Sequence, residues 1–382
     1  MSTVGPWPSP GDYSAAIQNP HNCFADPELK KGQVQTDSFG LPLGVSGNFA
    51  VVYQLQSGTE VFAVRCFIRS VTDQQRRYDA LSQYLQGIWL PHLVHFTYLA
   101  QGIRVRGQWY PVVKMEWVSG RQLHHYVESC LSQPHRLGQL AARWRGVIAG
   151  LSGARIAHGD LQHGNVLVDG EGSIRLVDYD GIFLPALRGS PPGEVGHVNY
   201  QHPERIVRSY YEANVDAFPA LVIYLSLLAL KAEPGLWQAF HTGENLIFQA
   251  ADFRKPGQTP LWKRLQSSPD AEVQRLAAEL ERFCQGSVAA VPDLETVVQG
   301  LSRVPVPPPS PTSVVPLQPS APVVPARPPT TVACPHCGFV NDATEIYCQR
   351  CAHQLCGNRW CPHCNGSVPV RAQYCTECGQ RV

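Results

Sequence analysis

The sequence predicts an α+β protein of two unlike lobes, rich in strands first and helical afterwards, followed by a small four-cysteine metal module. Three observations predict this. Between Leu43 and Trp117 the chain runs in β-branched and aromatic stretches parted by Gly-containing turns. From Leu137 onward apolar residues recur at helical spacing. Near the C-terminus eight cysteines form four CxxC pairs.

A chain of 382 residues has room for two or more domains. An apolar content of 44% with a net charge of +1 describes an ordinary soluble protein, without the charge excess that nucleic acid or a membrane surface would need. The N-terminal MSTVGPWPSPGDYSAA has neither a basic stretch nor an apolar one, so no signal peptide is expected. The longest apolar run, Ala217–Leu230, contains Pro219 and is too short for a membrane span. A cytoplasmic chain is the expectation, and in such a compartment CxxC pairs mean metal rather than disulfides.

Composition sets the expected boundaries. Residues 1–40, rich in Pro, Asn and Asp, predict an irregular lead-in with little helix. Residues 41–301 form the main domain. Residues 302–332, PVPPPSPTSVVPLQPSAPVVPARPP and its flanks, predict an extended polyproline-like linker. Residues 333–382 hold the metal module.

Taken in order, VSGNFAVVYQL and TEVFAVRCFI form a hairpin about Gln56-Ser57-Gly58. Tyr98–Gln101 and Tyr110–Trp117 form a second pair about Gly102–Gln108. Leu137, Leu140, Trp144, Val147, Ile148 and Leu151 predict an amphipathic helix. The stretch His158–Gly181, HGDLQHGNVLVDGEGSIRLVDYDG, follows it. It predicts strands at Val166–Val168 and Ile174–Val177 joined by a turn at Asp169–Ser173. Asp160 and Asn165 lie on the incoming loop and Asp178 at the end of the second strand, so the hairpin brings two acids and an amide towards one point. Oxygen ligands of this type suit Mg²⁺, which usually arrives bridging phosphates. Phosphoryl transfer needs an Asp beside the acceptor hydroxyl and an Asn and an Asp on the metal. Ala217–Leu230 predicts a buried helix, and Ser268-Pro269-Asp270 a helix start with Ser as N-cap. Val273, Leu276, Ala277, Leu280 and Phe283 supply that helix's apolar face, and a short helix at Asp293–Leu301 closes the domain.

These motifs resemble the eukaryotic-type protein kinases. HGDLQHGN resembles the catalytic loop H-R-D-L-x-x-x-N, and Asp178-Tyr179-Asp180 resembles D-F-G. Gly47–Tyr53 is similar to the end of the glycine-rich loop, with Ala50 in place of its third glycine and Gly44 one residue out of register for the first. Ala63-Val64-Arg65 is similar to V-A-I-K, and PVVKMEWVSGRQL to the last N-lobe strand and hinge. Gly196–Glu204 resembles the end of an activation segment, with Glu204 the structural acid. Asp216 resembles the acid that holds the catalytic loop. The resemblance implies a bilobal kinase-like fold and an ATP and Mg²⁺ site. Its nucleotide contacts would come from Gly47, Val52, Ala63, Arg65, Met115, Glu116 and Val118. Asn165 and Asp178 would hold Mg²⁺, and Asp160 would accept the substrate hydroxyl proton.

The sequence departs from the pattern at named places. Arg65 replaces the phosphate-binding Lys, a non-conservative exchange because a planar fork is not a point charge. No Glu stands between Thr72 and Gln86, where Asp79 is the acid nearest the expected place. Gly159 replaces an Arg, Gln162 a Lys, His197 a Thr and Asp180 a Gly. Two functions follow. One is a Mg·ATP-dependent protein serine/threonine kinase acting on a protein substrate or signalling partner; the other is a pseudokinase scaffold. HGDxxxxN also occurs in small-molecule phosphotransferases, but Gly196–Glu204 and Asp216 favour a protein kinase. Between Gly181 and Glu204 the hydroxyl residues are Ser190 and Tyr200, so activation by phosphorylation of this segment is not expected.

In the C-terminal module Cys334-x2-Cys337 is followed by Cys348-x2-Cys351, and Cys361-x2-Cys364 by Cys375-x2-Cys378, an internal repeat. Two CxxC turns complete a closed tetrahedral site of four thiolates, so two structural Zn²⁺ are expected. Such a module needs its metal to fold, and it resembles a double zinc ribbon. From Val332 onward four Arg, no Lys and three acids give no footprint for nucleic acid, which leaves partner docking. The whole layout resembles bacterial signalling kinases linked to stress or tellurium resistance.

Overall fold

The computed structural model describes residues 7–300 except 48, 70–72 and 209, with the backbone of four short strands at 331–333, 340–342, 358–360 and 367–369. The chain divides into two compact units, Met1–Pro305 and Val306–Val382.

The segment expected to be irregular is helical: α1 (Pro10–Ile17), α2 (Pro20–Cys23) and α3 (Pro27–Lys30). Each starts on proline, whose missing N–H costs nothing where the first-turn N–H groups have no helical partner anyway. Ser9 and Asp12 close a capping box on α1, and the Asp26 carboxylate accepts from the Glu28 and Leu29 N–H groups to cap α3. The prolines that argue against helix are its start signals.

Next come β1 (Gln33–Val34), β2 (Gly44–Ser46), β3 (Ala50–Ser57), β4 (Glu60–Phe67), α4 (Gln74–Tyr84), β5 (Phe96–Val105) and β6 (Gln108–Glu116). The strands form one antiparallel sheet in the order β1-β3-β4-β6-β5, with β2 also on β3. The turn expected across Gly102–Gln108 shrinks to Arg106-Gly107, both at positive φ. Gly102 stays in β5 at a bulge, where a Cβ would overlap Val112 Cγ2.

Register assigns the two faces of this sheet. Val52 lies opposite Arg65, Ala63 opposite Met115 and Arg65 opposite Val113, so these residues share one face. Val51, Tyr53, Val64, Cys66 and Val112 point the other way and are buried with Tyr13, Ile17, Phe24 and Leu29 of the N-terminal segment. The Tyr13 hydroxyl donates to the Phe67 carbonyl at 2.6 Å, and Lys114 pairs with Asp26 at 3.1 Å. The N-terminal helices thus roof the sheet and leave its inner face to the second lobe.

That lobe contains β7 (Arg121–Gln122), α5 (Leu123–Cys130), α6 (Pro134–Gly153), β8 (Val166–Val168), β9 (Ile174–Leu176), α7 (Pro203–Arg208), α8 (Ala217–Ala232), α9 (Leu236–Phe240), α10 (Ala250–Arg254), α11 (Pro260–Gln266), α12 (Ala271–Gln285) and α13 (Leu294–Val298). The predicted apolar face of α6 is buried throughout. From Ala217 to Leu230 α8 is buried on every side, with Pro219 in its first turn, where it is tolerated. α12 starts later than expected. Asp270 is its N-cap and accepts from Glu272 and Val273, while Ser268 accepts the Asp270 N–H at 3.3 Å. Among the described residues no helix is long and apolar enough to cross a membrane.

In the second unit β10 (Thr331–Ala333) pairs with β11 (Val340–Asp342), and β12 (Asn358–Trp360) with β13 (Ser367–Pro369), all antiparallel. The two hairpins keep one offset, as the internal repeat demands. Cys334, Cys337, Cys348, Cys351, Cys361, Cys364, Cys375 and Cys378 lie outside the described residues.

Candidate active site

The site is assembled around the β8–β9 hairpin. Asp216, at the head of α8, accepts the backbone N–H of His158 and, at 2.8 Å, that of Gly159, so the buried helix fixes the incoming loop. His158 Nε2 donates to the Val177 carbonyl at 3.0 Å while its Nδ1 accepts the Asp160 N–H, tying the start of the hairpin to its end. The Val177 N–H in turn donates to the Asn165 carbonyl at 3.0 Å. Asp160, Asn165 and Asp178 are thereby brought together.

Both Asp160 oxygens are engaged. Oδ1 accepts the His197 N–H at 2.8 Å; Oδ2 accepts from Gln162 Nε2 at 2.9 Å and Asn165 Nδ2 at 2.8 Å. Gln162 fills the expected Lys place with a neutral donor. Because the Asn165 amide nitrogen is spent on Asp160, its Oδ1 is the atom available to a cation.

Asp178 sits at φ +68°, in the left-handed region. Its carboxylate pairs with Arg65 Nη2 at 2.9 Å, and Asp180 pairs with Arg65 Nη1 at 2.9 Å. The expected helix acid, Asp79, is exposed and takes no part in this network. Its neighbour Tyr78 does, accepting from Arg65 at 3.2 Å and donating to Asp180 at 2.9 Å. Tyr179, in the D-F-G phenylalanine place, is buried against Phe96, and its hydroxyl accepts the Val94 N–H at 2.6 Å and reaches the Leu176 carbonyl at 2.9 Å.

Residues that sequence reasoning missed complete the cluster. Glu194, from the segment after the hairpin, lies against Gly181, and its Oε1 is buried with no hydrogen-bond partner among the described residues. Burial, and then the charges of Asp178, Asp160 and Asp180, push its carboxyl well above the usual range. Burial likewise raises Asp178 to about 6, opposed by Arg65 and helped by Asp180 and Asp160. Arg205, buried, donates to the Gly159 carbonyl at 2.7 Å and supplies a cation where the pattern has Arg in place of Gly159. Gly159 has φ +82°, and a Cβ there would overlap the Gly181 carbonyl, so no side chain fits. Nothing in the sequence distinguishes Arg205 from the neighbouring exposed Arg208.

On the other side of the cleft Val52, Ala63, Arg65 and Met115 share the inner sheet face. Gly47 stands in the β2–β3 turn, its N–H donating to the Ala50 carbonyl at 2.8 Å. Glu116 ends β6, and Val118 follows on the connector, its carbonyl accepting the Gly120 N–H at 3.0 Å. At the other end of the segment, Glu204 accepts the Val288 N–H at 2.7 Å and pairs with Arg208 one turn on.

A family model described as protein kinase domain matches residues 42–284, more than half of the chain. The chain belongs to the protein kinase family. A second model, double zinc ribbon, matches residues 334–379. No curated protein matches. In this kinase domain no group of three or more His, Cys, Asp or Glu is placed to hold a metal ion, among the described residues. Oxygens of the kind Mg²⁺ takes are the amide oxygen of Asn165 and the carboxylate of Asp178, the latter engaged by Arg65.

Proposed function

We propose that the chain is a Mg·ATP-dependent protein serine/threonine kinase whose zinc ribbons, holding two Zn²⁺, dock a partner. The observation that supports it best is Asp160, a buried carboxylate held by three neutral donors, from Gln162, Asn165 and the His197 backbone. Asp160 is oriented to receive the proton of a substrate hydroxyl. Asn165 and Asp178 would hold Mg²⁺, and Arg65 the nucleotide phosphates. Val52, Ala63 and Met115 offer an apolar face to the base, with Gly47, Glu116 and Val118 at its rim. Bound Mg·ATP supplies the transferable phosphoryl group and neutralises its charge. A cytoplasmic setting suits the free thiols of Cys23, Cys66, Cys130 and Cys284.

A pseudokinase is favoured by one observation: Arg65 closes on Asp178, the residue meant for metal. Thermal unfolding of the full chain with and without Mg²⁺ and ATP, beside Asp178→Asn, separates the readings. Ligand confined to the folded state adds about 2.7 kcal/mol at a hundredfold excess over its dissociation constant. A Mg²⁺-dependent shift that Asp178→Asn removes, with transfer to a generic protein substrate lost in Asp160→Asn, supports the kinase. No shift at millimolar ATP supports the scaffold.

A further inference from the structure

Three departures from the kinase pattern meet at one guanidinium. Arg65 stands where a lysine is usual, α4 carries no glutamate, and Asp180 stands where a glycine is usual. Arg65 holds one carboxylate with each terminal nitrogen, and the two contacts differ. Asp180 is 3% exposed at its side chain, against 29% for Asp178. Asp180 Oδ1 also receives the Tyr78 hydroxyl at 2.9 Å, and that same hydroxyl accepts from Arg65 Nη1. Asp178 adds only a 3.5 Å contact with the Asp180 N–H.

We propose that Asp180, with Tyr78, is the positioning residue that anchors Arg65, in the place of the helix glutamate, and that the Asp178 arm is exchangeable. The inference rests on the function proposed above. When Asp178 turns to Mg²⁺, Arg65 Nη2 is released to a nucleotide phosphate while Nη1 stays on Asp180. A buried cation stripped of every carboxylate is strongly destabilising, so an anchor must remain when Asp178 leaves. Only a fork can hold an anchor with one nitrogen and a phosphate with the other. Arg at 65, Asp at 180 and the absent helix glutamate are on this view a single rearrangement: the partner acid has moved from the helix to the metal loop.

Two measurements on the full chain test it. The first is a double-mutant cycle in thermal unfolding without nucleotide, combining Arg65→Met with Asp180→Asn and, separately, with Asp178→Asn. Coupling should be larger for the Asp180 pair; additive losses there overturn the anchor. The second is displacement of a fluorescent ATP analogue as a function of Mg²⁺. In Asp180→Asn the Asp178 group becomes the sole carboxylate on Arg65, so the Mg²⁺ concentration for half-maximal nucleotide binding should rise at least about tenfold. Tyr78→Phe, which removes one hydroxyl, should shift it the same way by less, and serves if Asp180→Asn does not fold. An unchanged Mg²⁺ requirement in both variants overturns the exchange. Should the wild-type chain bind no nucleotide while the cycle shows coupling, the kinase reading and the exchange fall and the anchor stands.

Discussion

The Gln162 amide donates to Asp160 Oδ2 at 2.9 Å, giving a neutral contact where the kinase pattern carries a lysine. Asp160 keeps its orientation through His197 and Asn165, but it gains no neighbouring positive charge from this place. Gln162→Ala should therefore lower phosphoryl transfer only a few-fold, because two of three donors remain. Asp160→Asn should lower it by about 10²-fold or more, the usual worth of a positioned acid–base group. Steady-state rates with a saturating peptide substrate separate the two. Equal losses would mean that Gln162, and not the pair behind it, positions the carboxylate.

The segment after the hairpin is pinned without a phosphate. Arg77 on α4 donates to the Tyr211 hydroxyl at 2.8 Å and to the Pro191 carbonyl, and Tyr211 donates onward to the Ile182 carbonyl. The Tyr200 hydroxyl is buried on His163 Nδ1 at 2.8 Å and is closed to a kinase. Ser190 is the remaining hydroxyl of the segment. Ser190→Ala should leave activity within about twofold, since surface substitutions outside such networks are nearly neutral. Arg77→Ala should lower both thermal stability and activity, with about 2 kcal/mol lost as buried hydrogen bonds to a charged donor disappear. A phosphorylated Ser190 whose loss abolishes activity would overturn this pinned segment as the resting state.

Much of this is legible in the sequence, and the parts that are not have a common cause. Asp160, Asn165 and Asp178 are readable because a hairpin with fixed turn chemistry spaces them, and Asp216 because it heads an apolar helix. Arg77, Glu194 and Arg205 are not, because each acts through a contact made across the fold: α4 to the segment, the segment to Gly181, and α7 to Gly159. For the partner of Arg65 the sequence points one residue too late, to Asp79, since the pattern asks for an acid where a tyrosine hydroxyl serves. The N-terminal helices are hidden because Pro-rich composition reads as a breaker, although Ser9-Pro10 and Asp26-Pro27 each pair a cap residue with a first-turn proline.

Gly159 gives a test of the loop's packing. Its φ of +82° penalises any L-residue, and a Cβ would overlap the Gly181 carbonyl. Gly159→Ala should cost more than about 1 kcal/mol from the dihedral alone, with the clash added. Restoring the pattern by Gly159→Arg should prevent folding rather than improve activity, as circular dichroism and expression yield would reveal. A folded, more active Gly159→Arg would mean the loop is free to move away from Gly181.

The pH dependence of stability has two opposed parts. Burial, and then neighbouring imidazoles, hold His124 down to about 4 and His163 to about 3, in a cluster with His197 and His241. Their folded values lie below the unfolded value near 6.5, so the unfolded chain takes up protons that the folded chain refuses. This part of the stability is complete above about pH 6.5 and is lost as the pH falls towards 4. Glu194 and Asp178 act the other way. Their folded values are raised, so the folded chain retains protons that the unfolded one has lost, and stability falls as pH rises through those folded values. Above about pH 6.5 the histidines are silent and Asp178, at about 6, is largely ionised, so a decline that continues there belongs to Glu194. Metal-free thermal unfolding should therefore weaken with rising pH as the Glu194 carboxyl gives up its proton, and Glu194→Gln should flatten that decline and raise the melting temperature once the native carboxyl is ionised. A decline that persists unchanged in Glu194→Gln would place the buried charge elsewhere than on this segment.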